Sequence, residues 1–171
     1  MKHFITPSRK VVAFGVDGSQ DHLITKDLKP VTLPDAPRET WIIDYEEGEV
    51  RVDRHKVFLL ARNSAIRRIN AAYEAELASI RSEYPESEQM TWDKQEREAR
   101  AFLADSATDT PLLDAMATGR GIDKTELATR IIAKADAWMQ ASGLATGKRQ
   151  ALEGQVKAAE TVEAVEAISW E

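Results

Sequence analysis

Apolar residues follow two rhythms along this chain, and the change falls near residue 55. Before it, the rhythm suits strands. "KVVAFGVDGSQDHLI" (residues 10–24) is a β-branched and aromatic run, a turn centred on Asp17 and Gly18, and a second apolar piece. Asp-Gly between such runs is a strong hairpin signal. "ETWIIDYEEGEVRVDRH" (39–55) repeats the design: residues 41–45 and 50–53 flank "EEGE", where Gly48 can take positive φ. Between them, "KPVTLPDAPRE" holds Pro30, Pro34 and Pro37 and reads as a connector. Two hairpins make a small antiparallel sheet, marginal alone unless another element covers one face.

After residue 55 the spacing turns helical. Residues 56–84 lack Gly and carry apolar side chains at Leu59, Ile66, Ile69, Tyr73, Leu77, Ile80 and Tyr84. These steps of three and four predict an amphipathic helix of about 28 residues, roughly 40 Å long. Leu59, Ile66, Tyr73 and Ile80 recur every seven, but the companion positions are Arg62, Glu76 and Glu83. Pairs at spacing eleven (Ile66 with Leu77, Ile69 with Ile80, Tyr73 with Tyr84) suit a nearly straight helix better than a left-handed supercoil. Self-association through residues 56–84 stays open. Pro85 should end the helix.

Residues 91–171 read as helices throughout. Thr91 is placed to cap one whose inner stripe is Trp92, Ala99, Phe102 and Leu103. Thr110 and Pro111 form a cap followed by proline at the first helical position, with Gly119 as the stop. Asp123 and Glu126 make a capping box for a helix buried through Leu127, Ile131, Ala135, Trp138 and Met139 and stopped near Gly143. Two more helices are expected over 146–158 and 162–169. Trp92, Trp138 and Trp170 are expected to pack together, whereas Trp41 on its hairpin serves either as core or as a partner anchor. The predicted fold class is α+β: an N-terminal β module (1–55), a long helix and connector (56–88) and a C-terminal helical domain (89–171).

Charge narrows the partners. The chain has 171 residues, 30% charged and 43% hydrophobic, with a formal net charge of −6. Residues 1–55 contribute −2, residues 56–90 none and residues 91–171 −4. No segment is basic enough to neutralise a phosphate backbone, so nucleic acid is not an expected partner. There are no cysteines, which excludes disulfides and thiolate metal sites and fits a reducing compartment. "MKHFITPSRKVVAFG" has no apolar core before Pro7, and no apolar run is long enough to span a bilayer. No membrane partner is expected, and the expected address is the cytosol.

Candidate chemistry is sparse. "GLATGKRQ" (143–150) resembles a phosphate-binding loop, but has three residues between the glycines where the loop needs four, and Arg149 where it needs Ser or Thr. It reads as a helix stop and restart. "DGSQD" (17–21) lacks the further ligands of a calcium loop and reads as a turn. His3, His22 and His55 match no ligand spacing, so no metal is expected. Acidic pairs such as Glu46 with Glu47 and Glu96 with Glu98 read as solvated carboxylates rather than acid–base partners. No nucleophile has a local activator, so neither a catalytic residue nor a cofactor is expected.

"VVAFGVDGSQDHLI" with "LKPVTLPD", and then "MTWDKQEREARAFLADSATDTPLLDAMATGRGIDKTELATRIIAKADAW" with "GKRQALE" and a closing "I.W", carry a resemblance. In these blocks the chain resembles the phage tail fibre assembly chaperones, including those encoded beside pyocin tail fibres. The resemblance implies a non-catalytic protein that binds the distal part of a trimeric tail fibre and assists its folding and trimerisation. Trp92, Gln95, Glu98, Pro111, Arg120 and Gly121 match the family pattern and would form a binding scaffold. Family members differ in whether they stay on the fibre tip. On this reading, the client-binding surface is expected on the N-terminal sheet, around Phe14, Asp17, Gly18, Ser19, Gln20, Asp21, Trp41 and Tyr45. A small sheet leaves edges open to strands of a folding client. Two rival classes stand beside it: an enzyme of unrecognised type, and a generic interaction module or regulator without a fibre client.

Overall fold

A computed structural model describes residues 1–14, 20 and 24–171. The protein is α+β, with small antiparallel sheets first and helices after them. Five strands are described: β1 Lys2–Ile5, β2 Val11–Phe14, β3 Lys29–Pro30, β4 Trp41–Asp44 and β5 Glu49–Val52. Six helices follow: α1 Arg54–Arg81, α2 Glu86–Gln89, α3 Trp92–Ala104, α4 Pro111–Arg120, α5 Lys124–Ala158 and α6 Val162–Glu166. The chain divides into two compact units, Met1–Ser64 with Ala159–Ala167, and Ala65–Ala158 with Ile168–Glu171.

In the first unit the strands form two sheets, ordered β2-β1-β3 and β4-β5, all antiparallel. The described partner of β2 is β1, which precedes it; they are joined by a turn in which Thr6 N–H donates to Lys10 O (2.9 Å) and Arg9 takes φ +58°. The turn expected at Asp17 and Gly18 lies outside the described residues. The second hairpin forms as predicted, with Trp41 opposite Val52, Asp44 opposite Glu49, and Gly48 at φ +71°. Phe4, Ile5, Thr40 and Val165 are buried here. Phe4 meets the edge of Phe14, ring centroids 5.6 Å apart.

Asp53, read as the end of a strand, instead caps α1. Its Oδ1 accepts the N–H of Lys56 (3.1 Å), so the helix starts at Arg54. The helix ends at Arg81 rather than Tyr84. Gln89 closes it, Nε2 donating to the carbonyls of Arg81 (3.0 Å) and Tyr84 (2.8 Å).

The second unit has a core of Ala99, Leu113, Ala117, Leu127 and Ala128, with Phe102, Met116, Ile122, Ile131 and Ile132 against it. It is formed where α3 and α4 pack on α5. The buried stripe of α3 passes through Gln95 and Ala99; Leu103 and, on α5, Met139 are exposed rather than inner. Gly119 does not stop α4. The helix runs to Arg120, and Gly121 supplies the left-handed residue (φ +62°).

The largest departure from expectation is α5. The sequence predicts two helices broken near Gly143, but α5 runs unbroken from Lys124 to Ala158 through Gly143, Gly147 and Gly154. Glycine lowers helix propensity by about 1 kcal/mol without removing a hydrogen bond, and the burial of Leu127, Ala128, Ala145 and Val156 along the helix outweighs that. The final helix stops at Glu166 rather than residue 169.

Candidate partner-binding surfaces

The expected surface lies on the N-terminal sheets. Asp17, Gly18, Ser19 and Asp21 are outside the described residues; Gln20 is exposed. The strand alternation puts Trp41, Ile43, Val50 and Val52 on one face of β4-β5, and Ile42, Asp44, Glu49 and Arg51 on the other. Trp41 is half-buried, its Nε1 donating to Ala36 O (2.9 Å), and so ties the hairpin to the proline-rich connector. Tyr45 is also half-buried. Its hydroxyl donates to Asp27 O (2.7 Å), and Lys29 Nζ sits 4.7 Å from its ring centroid while donating to Glu46 O (2.7 Å). On the β4-β5 hairpin, Ile42 is a large apolar side chain left 46% exposed.

Sheet edges complete this surface. Among the described residues no strand lies beside the outer edge of β2, and β4 and β5 each have one edge without a neighbouring strand. Arg38 takes one carbonyl of β2, donating to Val11 O (3.3 Å). Such edges present backbone donors and acceptors to an incoming strand.

The scaffold residues lie in the second unit, each with a physical role. Trp92 stands between two rings, its centroid 5.4 Å from Tyr84 and 6.2 Å from Trp138, both edge-on. Gln95 is buried and donates to Thr91 Oγ1 (2.8 Å). Thr91 therefore does not cap α3; its hydroxyl donates to Glu88 O (2.7 Å). Glu98, read as a solvated carboxylate, instead reaches the start of α4, where Oε2 accepts the N–H of Leu113 (2.8 Å). It does the work expected of Thr110, whose hydroxyl is buried and has no partner among the described residues. Pro111 occupies the first turn of α4, and Arg120 and Gly121 end it.

Trp170 does not join Trp92 and Trp138. It packs on Tyr73 (6.3 Å), its Nε1 donates to Glu76 Oε2 (2.8 Å), and Lys148 Nζ lies 4.8 Å from its ring centroid.

The sequence reading missed a groove of about 750 Å³ beside this scaffold. Tyr84, Trp92 and Trp138 line it with Met116, Leu127 and Ile131, so its floor is the core of the unit. No local signal marks it, because its aromatic side chains come from three separate segments.

"GLATGKRQ" lies inside α5, with no loop to cradle a phosphate. Among the described residues no group of three or more His, Asp or Glu side chains is placed to hold a metal ion. Nor is any described helix long and apolar enough to cross a membrane.

Residues 133–170 match a family model described as HI1402 helical domain, a stretch covering most of α5, all of α6 and the closing residues. No curated protein and no solved structure matches the chain.

Proposed function

We propose that the protein is a non-catalytic tail fibre assembly chaperone of a phage or pyocin, binding the distal part of a trimeric fibre in the bacterial cytoplasm. The reading rests on the resemblance of the two sequence blocks, and the observation that carries it is the pair of small sheets with unneighboured edges among the described residues. Intertwined β-rich trimers form through non-local contacts, fold slowly and expose strand edges meanwhile. A small acidic protein offering its own edges would occupy them until the trimer closes.

The test is co-expression of fibre with increasing amounts of this protein. Fibre solubility should saturate near equal subunit numbers; rescue at a small fraction of that amount would indicate turnover and overturn the non-catalytic reading. Ile42→Lys, an exposed change, should weaken fibre co-purification while leaving the melting temperature unchanged. Trp41→Ala should affect both, because it also removes the tie to Ala36. An interaction module without a fibre client, the alternative reading, would show no co-purification at all.

A further inference from the structure

The aromatic groove of the second unit has an asymmetric rim. From Ser82 to Asp93 the chain carries Glu83, Glu86, Glu88 and Asp93 and no basic residue. Three of these, Glu83, Glu88 and Asp93, line the groove, and all are exposed. Of the basic side chains opposite, one is paired with a carboxylate and one is turned onto an aromatic ring. Arg130 pairs with Glu126, and Lys134 Nζ donates to Tyr84 Oη (2.8 Å) while lying 4.9 Å from that ring's centroid. Among the described residues Arg120, exposed, is the exception.

A concavity of this size, aromatic-walled and seated on a packed core, suits a large apolar side chain held with little rearrangement. The acidic lip selects what flanks that side chain. It repels phosphate and attracts ammonium or guanidinium groups. We propose that the groove docks a polypeptide segment that carries a bulky apolar residue flanked by Lys or Arg. The apolar residue lies against Trp92 and Trp138, and its basic neighbours face Glu83 and Glu88. Three of the scaffold residues, Trp92, Gln95 and Arg120, line the groove directly, and Glu98 holds the start of α4, whose Met116 also lines it. This site belongs to the helical unit and does not depend on the fibre reading, which concerns the sheets.

The test uses the full chain, labelled with nitrogen-15, and two short acetylated peptides that lack tryptophan, one alternating leucine with lysine and one alternating leucine with glutamate. The lysine peptide should shift the indole N–H signals of Trp92 and Trp138 and leave that of Trp41 in place, and the glutamate peptide should bind about tenfold more weakly or worse. Glu83→Lys with Glu88→Lys changes two exposed side chains that make no hydrogen bond or ion pair through their carboxylates among the described residues. The double variant should reverse the order of the two peptides. Unmoved Trp92 and Trp138 signals would overturn the proposal. So would an order of affinities that the charge reversal leaves unchanged.

Discussion

At Gly121 the backbone turns left-handed, φ +62°, as α4 hands over to the segment before α5. Any Cβ there would meet open space but also an unfavourable backbone, so Gly121→Ala should destabilise the protein by about 1 kcal/mol, read as a lower urea midpoint. Asp123 carries a different constraint. Its carboxyl is held below the ordinary value of 3.8, chiefly by the N–H of Glu126, with the N–H of Thr125 adding to it. Asp44 and Asp53 are lowered likewise, by the N–H groups of Glu47 and Lys56 first. A lowered folded pKa favours the carboxylate, so this contribution is complete above about pH 4 and is lost as pH falls through the folded values. Stability should therefore drop as pH falls below about 4, and Asp123→Asn, which still caps, should shrink that drop while leaving the midpoint at pH 7 nearly unchanged. Equal acid sensitivity in variant and parent would refute the assignment.

Among the elements, α5 is the one whose continuity runs against its local sequence. Cβ atoms built at Gly143, Gly147 and Gly154 meet nothing within 4 Å, so no packing requires glycine there. Gly143→Ala and Gly147→Ala should each stabilise the protein by roughly 0.5–1 kcal/mol, the opposite sign to Gly121→Ala. Gly143→Pro should cost about 3 kcal/mol or more by removing a helical hydrogen bond. Thermal melts of the three variants decide it: if α5 were two helices hinged at Gly143, proline would be tolerated and alanine would gain nothing. The hairpins show the contrary case. For β4-β5, "EEGE" between two alternating runs specifies both the turn and the register, because Gly48 is suited locally to positive φ.

For the molecule as a whole, the division into units groups residues 159–167 with residues 1–64. Val165 is fully buried. Val165→Ala should therefore weaken the first unit by about 2 kcal/mol through the lost buried apolar volume. Hydrogen exchange at Ile5 and Thr40 would report it as faster amide loss, and unchanged protection there would contradict the grouping. Much of the architecture was legible in advance: strands before residue 55, helices after it, the cap at Asp123 and the proline start of α4. Each is a local preference, carried by turn chemistry, capping or apolar period within a few residues. The proposed client surface rests, at the level of sequence, only on aromatic residues in a small sheet. The structure then turned Trp41 and Tyr45 toward the chain's own carbonyls and left Ile42 outside. The groove was not legible: the expected packing of Trp92 with Trp138 occurs, but that Tyr84, Met116 and Ile131 join them around a concavity depends on how α3, α4 and α5 pack. By itself the sequence determined β4, β5 and, to within a few residues, where α1, α3, α4, α5 and α6 start, because those choices are settled by neighbours along the chain. It did not mark β1, and it read β3 as part of a connector. Only the tertiary structure decided that α5 passes through its glycines, that Glu98 rather than Thr110 caps α4, and that Trp170 packs on Tyr73. These depend on burial and hydrogen bonding between segments far apart in the chain, which outweigh local propensities of about 1 kcal/mol.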